Sequence, residues 1–112
     1  MDFLQQKSEF NALDLIGSGW HHIAEDDQHL LTQQLRLEIP HGHILHDRPL
    51  EIVARRYDQD DVLLIVSHSE FQYAKVHLTW VTSPEHNSAW PAIVTYRNLH
   101  ELIDIELISD EN

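Results

Sequence analysis

Val62-Leu63-Leu64-Ile65-Val66 is the stretch on which the fold turns. Five consecutive aliphatics rich in β-branched side chains suit a central strand buried on both faces. Upstream, Leu50 to Tyr57 reads as a second strand, with its alternation broken at Arg55-Arg56, and Asp58-Gln59-Asp60-Asp61 is the short polar turn joining the two. Downstream, Tyr73 to Val81 alternates. Ala74, Val76, Leu78 and Trp80 fall on a core face, and Tyr73, Lys75, His77 and Thr79 on a wetter one. Parallel strands need long crossovers, so connections this short predict an antiparallel meander.

Outside this block the period changes. Residues 2–16 carry a loose helical pattern through Phe3, Phe10 and Leu13, and Gly17-Ser18-Gly19 breaks it. Ala24 to about Glu38 reads as a helix, with Glu25, Asp26 and Asp27 in the first turn, where the positive end of the helix dipole favours them. Leu30, Leu31 and Leu35 give it a narrow apolar stripe, and Pro40 ends it. Residues 40–49 and 82–91 read as loops, and Ala92 to Arg97 as a fourth strand. Asn98 stands three residues before Glu101, the spacing of a helix N-cap, which predicts a short terminal helix buried through Leu99, Leu102 and Ile103. A strand through Ile103, Ile105 and Leu107 is the alternative. The expected architecture is one α+β domain over residues 1–112: an antiparallel three- or four-stranded meander with helices packed on one face.

Composition restricts the partners. Nineteen Asp and Glu face seven Lys and Arg, with ten His, for a formal charge of −12 on 112 residues. Nucleic acid and anionic membranes both need clustered positive charge, so neither is expected as a partner. The acidity sits at the ends. Residues 1–47 hold eight acids and two bases, 48–97 six acids and five bases, and 98–112 five acids and no base. There is no cysteine, which removes disulfides, thiolate metal sites and cysteine nucleophiles. No apolar stretch approaches the ~20 residues that span a bilayer, and a cytoplasmic location is expected.

Two groups of residues are candidate sites. His41, His43 and His46 lie beside Asp47 in the proline-bounded loop, and imidazoles so spaced would suit zinc or nickel. A polar loop in a histidine-rich chain would look the same. Asp26, Asp27, Glu101, Asp104 and Glu106 are the acids best placed to meet a basic protein, with Trp90 as an indole anchor beside Pro91. Trp20 and Trp80 read as core. The turn aspartates lack the glycine and distal Glu of a calcium loop. Arg48, Arg55 and Arg56 are expected to pair with carboxylates. His77 could serve as a general base on the sheet surface, but Ser67-His68-Ser69 has no nucleophile elbow around it, and hydrolysis is not expected.

Asp60-Asp61-Val62-Leu63, Val76-His77-Leu78-Thr79-Trp80 and Trp90-Pro91, after the Gly42-His43 step, resemble a DDVL…VHLTW…P arrangement in small uncharacterised bacterial proteins. The resemblance runs from Leu30 to Pro91 and implies a compact α/β domain, with no activity or cofactor attached. The leading functional expectation is a non-enzymatic module that masks a basic partner, in the manner of an immunity protein or antitoxin. The alternatives are a metal-binding protein or metalloenzyme using the histidine loop, and a structural domain that forms homo-oligomers through an exposed strand edge or apolar sheet face.

Overall fold

The computed structural model describes residues 3–56, 58–68, 70–80 and 93–107. The loop 82–91, and with it Trp90, lies outside the described residues.

Helix α1 (Phe3–Asn11) comes first, then strand β1 (His21–His22) and helix α2 (Glu25–Glu38). Strands β2 (Leu50–Arg56), β3 (Asp61–Val66), β4 (Tyr73–His77) and β5 (Ile93–Tyr96) follow. Helix α3 (Leu99–Leu102) closes the order and runs into a π-helical turn, Ile103–Leu107. The sheet is antiparallel throughout, in the sequence order β1-β2-β3-β4-β5. An α+β meander is therefore present, with five strands rather than three or four. The additional strand, β1, is two residues long, too short for any hydrophobic period to announce it.

All six residues of β3 are buried. Val62, Leu64 and Val66 pack with Leu31, Leu35 and Ile39 of the α2 segment. Leu63 and Ile65 pack on the other side with Phe10 of α1, Trp20 and Leu102 of α3. Helices therefore cover both faces, which corrects the one-face expectation. A strand buried along its whole length leaves water no face to wet, so each side must carry its own layer.

A bulge decides how β2 meets these layers. Ile52 pairs with Leu64 and Ala54 with Leu63, so Val53 is an extra residue opposite a continuous β3. Before it, Leu50 and Ile52 face α2; after it, Val53 and Ala54 both join the α1 side. The phase shift sends Arg55 to the α2 side and Arg56 to the other, where its guanidinium lies 5.9 Å from the Trp20 ring centroid. Gly19, at φ +86°, makes room for that arginine: a Cβ there would stand 3.2 Å from a guanidinium nitrogen.

The expected capping holds at the last helix. Asn98 is the N-cap of α3, its side chain accepting from the Glu101 N–H at 2.9 Å. Helix α2 begins after Ala24, with its three acids in the first turn. No described helix is long and apolar enough to cross a membrane.

Two independent layers imply two independent core penalties. Leu35→Ala on the α2 side is expected to lower unfolding free energy by about 2–5 kcal/mol, and Phe10→Ala on the α1 side by about 3–5 kcal/mol. Urea denaturation of both variants checks this. A Phe10→Ala protein as stable as wild type would show that the α1 layer is not part of the core.

Candidate functional site

Exposed apolar side chains of α2 meet Trp80 along one groove. Asp27, Leu30, Leu31, Gln34 and Leu37 recur at helical spacing and, with Arg55 and Trp80, line a groove of about 510 Å³. Leu31 is its buried floor, whereas Leu30 (63 %), Leu37 (37 %) and Trp80 (46 %) are exposed. The expected apolar stripe therefore divides, Leu31 and Leu35 turning to the core and Leu30 to solvent.

Trp80 is not a core residue, because β4 ends at His77 and the alternation that would have buried it stops there. Its backbone instead has φ +63°, a left-handed conformation costly for a bulky side chain. Glu38 holds it there. This carboxylate, only 1 % exposed, accepts from the Trp80 N–H at 2.8 Å, the Thr79 N–H at 3.0 Å and the Thr79 hydroxyl at 2.9 Å. Gln34 adds a fourth donor at 2.7 Å. A carboxylate at the last position of a helix opposes the dipole, and these donors compensate it. The contact joins residues 41 and 42 positions apart, and no local motif signals it.

The acids selected from the sequence separate into two groups. Asp26 is exposed and the half-buried Asp27 borders the groove. The three near the end of the chain are engaged within the fold. Glu101 accepts from the Arg97 N–H at 2.6 Å, which, with the Arg97 charge, holds its carboxyl below the usual range. Asp104 lies 3.5 Å from His100. Glu106, in the π-helical turn, accepts from Lys75 Nζ at 2.9 Å and from the Tyr96 hydroxyl at 2.5 Å, and so clamps α3 to the sheet.

The loop histidines do not converge as a ligand set. His43 is buried, and its Nδ1 accepts from the Leu45 N–H at 3.0 Å. His41 and His46 lie ring against ring, with centroids 4.3 Å apart, and His46 Nε2 is 3.4 Å from Asp47. Among the described residues no group of three or more His, Asp or Glu is placed to hold a metal ion. Each histidine is held by its own local contact within the turns that fold residues 41–47.

The turn aspartates pair with the arginines as their charge predicts: Arg56 with Asp58 at 3.2 Å and Arg55 with Asp60 at 3.8 Å. Buried Asp61 bonds His77 Nδ1 at 2.9 Å and orients an imidazole that is otherwise exposed. In comparisons with protein families, curated proteins and solved structures, nothing matches this chain.

Two tyrosines give the sheet a pH signature. Burial, then the charge of Glu9, pushes the Tyr73 phenol up to about 12. Burial, the Glu106 hydrogen bond and the Glu106 and Asp61 charges push Tyr96 up further. Unfolded phenols ionise near ~10 while the folded ones stay neutral, so this stability is complete below that pH and lost as pH rises beyond it. Phenolate absorbance of Tyr73 and Tyr96 should therefore appear together with alkaline unfolding, and Tyr96→Phe should lessen the alkaline loss. Reversible phenolate formation at Tyr96 near pH ~10 in the folded protein would contradict this.

The strain at Trp80 is separately measurable. Trp80→Gly and Trp80→Ala both remove the indole, but only glycine accepts the left-handed backbone freely, so the glycine variant should be the more stable by roughly 1 kcal/mol. Glu38→Ala, which strands buried donors, should cost about 1–3 kcal/mol. Equal denaturation midpoints for the glycine and alanine variants would remove the strain.

Proposed function

We propose that this protein is a binding module that masks a basic protein partner through the α2 groove. The observation that carries the reading is Trp80: a large indole kept exposed, in a costly backbone conformation, beside exposed Leu30 and Leu37. Strain of this kind persists where the surrounding structure imposes it, and it clusters at sites of function. Trp is also the side chain most enriched among interface anchors, because it gives up much apolar area for little lost freedom.

Charge supplies the chemistry of the partner. The groove opens next to the first turn of α2, where Glu25, Asp26 and Asp27 stand together on a chain of formal charge −12. Arg55, the cation that lines the groove, faces Asp60 at 3.8 Å. A cationic surface carrying one apolar side chain is complementary to this arrangement. Long-range attraction would speed its approach, and burial against Trp80 and the leucines would hold it.

An amphipathic Lys/Leu helical peptide tests both halves, with a Lys/Gln peptide of equal charge as control. The Lys/Leu peptide is expected to shift the Trp80 indole N–H and the Leu30 and Leu37 methyl resonances saturably. Its affinity should fall about tenfold or more in Trp80→Ala, and also as salt rises. Equal binding of both peptides, or shifts spread evenly over the acidic surface, would mean that charge alone is acting and the groove is not a site.

A further inference from the structure

A second opening lies at the far end of β3 from Arg55, where the first turns of α1 approach the strand end. It is a cleft of about 440 Å³ with Val66 at its base and Phe3 and Pro49 as apolar walls. Gln6, Ser67, His68 and Gln72 supply its polar groups. None of the residues lining it is charged, although the chain as a whole carries −12.

Gln6 is the unexplained residue. It sits inside α1 on the face turned to the sheet and is 3 % exposed, yet its carboxamide meets no hydrogen-bond partner among the described residues. A buried amide without partners is costly, and such groups are rare in folded proteins. Trp20 Nε1 is the fully enclosed unpartnered side-chain atom among these residues. The Gln6 amide is therefore not sealed in, and it borders the cleft. A partner for it has to come from there.

The surrounding groups are held ready. The His68 ring stacks on Phe71 with centroids 4.1 Å apart and planes 22° from parallel. Its Nδ1 accepts from the Glu70 N–H at 3.0 Å, which leaves the proton on Nε2 and makes that atom a donor. The Gln72 main chain is fixed on both sides, its N–H donating to Tyr96 and its carbonyl accepting from Val66. Ser67 is anchored through its N–H to the Pro49 carbonyl at 2.9 Å. Two carboxamides, a hydroxyl and an imidazole N–H offer both donors and acceptors, arranged beside an aromatic ring.

We infer that this cleft binds a neutral, planar small molecule with an amide or lactam edge, hydrogen-bonded to Gln6 and stacked near Phe3. The volume is that of a small-ligand site. The uncharged lining selects against ions, since an ion entering here would give up its water and find no counter-charge. A carboxamide donates and accepts side by side, and an amide or lactam edge does the same in complement.

Titration of the ¹⁵N-labelled protein with nicotinamide and with uracil, against nicotinate and benzylamine as charged controls, tests the inference. At least one neutral probe is expected to shift the Gln6 and Gln72 side-chain NH₂ resonances saturably, about tenfold more tightly than either charged probe. Gln6→Leu keeps the volume and removes the amide, and should abolish that difference. Gln72→Leu provides the same reading where Gln6→Leu proves unfolded by its thermal melt. No shift from either neutral probe up to its solubility limit, equal binding of nicotinate, or undiminished binding in a folded variant would overturn the proposal. Trp80→Ala should leave these titrations unchanged, so they stand or fall apart from the groove on α2.

Discussion

Everything in this fold follows from a strand that has no wet side. Six buried residues of β3 put three apolar side chains on one face and the rest on the other, so the sheet cannot rest on a single layer. Helix α2 closes one side. The other needs α1, the Trp20 loop and α3 together, none of them long enough to cover it alone. Small helices of four to nine residues are not stable by themselves in water, so their helicity is a consequence of docking. The Glu106 clamp then has a clear purpose, since it ties the shortest of these elements to β4 and β5.

The bulge at Val53 turns this constraint into surface chemistry. With regular pairing, Ala54 would face α2 and Arg55 would face Trp20. The extra residue reverses them, so that small Ala54 enters the crowded α1 layer and the two arginines part to opposite faces. One arginine then lies across an indole, and the other lines the groove under Asp60. One inserted position thus sets the polar composition at this end of both faces.

What was legible in the residues is whatever depends on neighbours in the chain. The run from Val62 to Val66, the acids opening α2 and the Asn98 cap each state their own structure. That run also demanded cover on both faces, a demand at odds with helices on one side only. The two-residue β1 was not legible, because it has no period to detect and exists only through pairing with Ala54 and Arg55. Trp80 misled for a related reason. Alternation predicts a face only as long as the strand continues, and what ends β4 is a carboxylate some forty residues earlier. Gln6 reads as an ordinary polar position in a weak helix, and only docking reveals that it has been buried, with no side-chain partner among the described residues.

Net charge is the property that changes most between sequence and structure. A count of −12 describes the chain, but a partner meets only the charges that the fold leaves facing outward. Glu38 is consumed by the Thr79–Trp80 turn, Glu106 by Lys75 and Tyr96, Asp61 by His77, and Asp58 and Asp60 by arginines. These acids are therefore spent on the fold's own architecture. The first turn of α2 differs: its acids already sit where the helix dipole favours them, and Asp26 remains exposed to solvent. Because screening confines exposed charges to about 8–10 Å, it is this turn, and not the total, that a ligand in the groove would feel. Acidity and the exposed indole thus lie on the same surface, whereas the neutral cleft beside Gln6 lies at the opposite end of β3, where shape and hydrogen bonding would have to select any ligand.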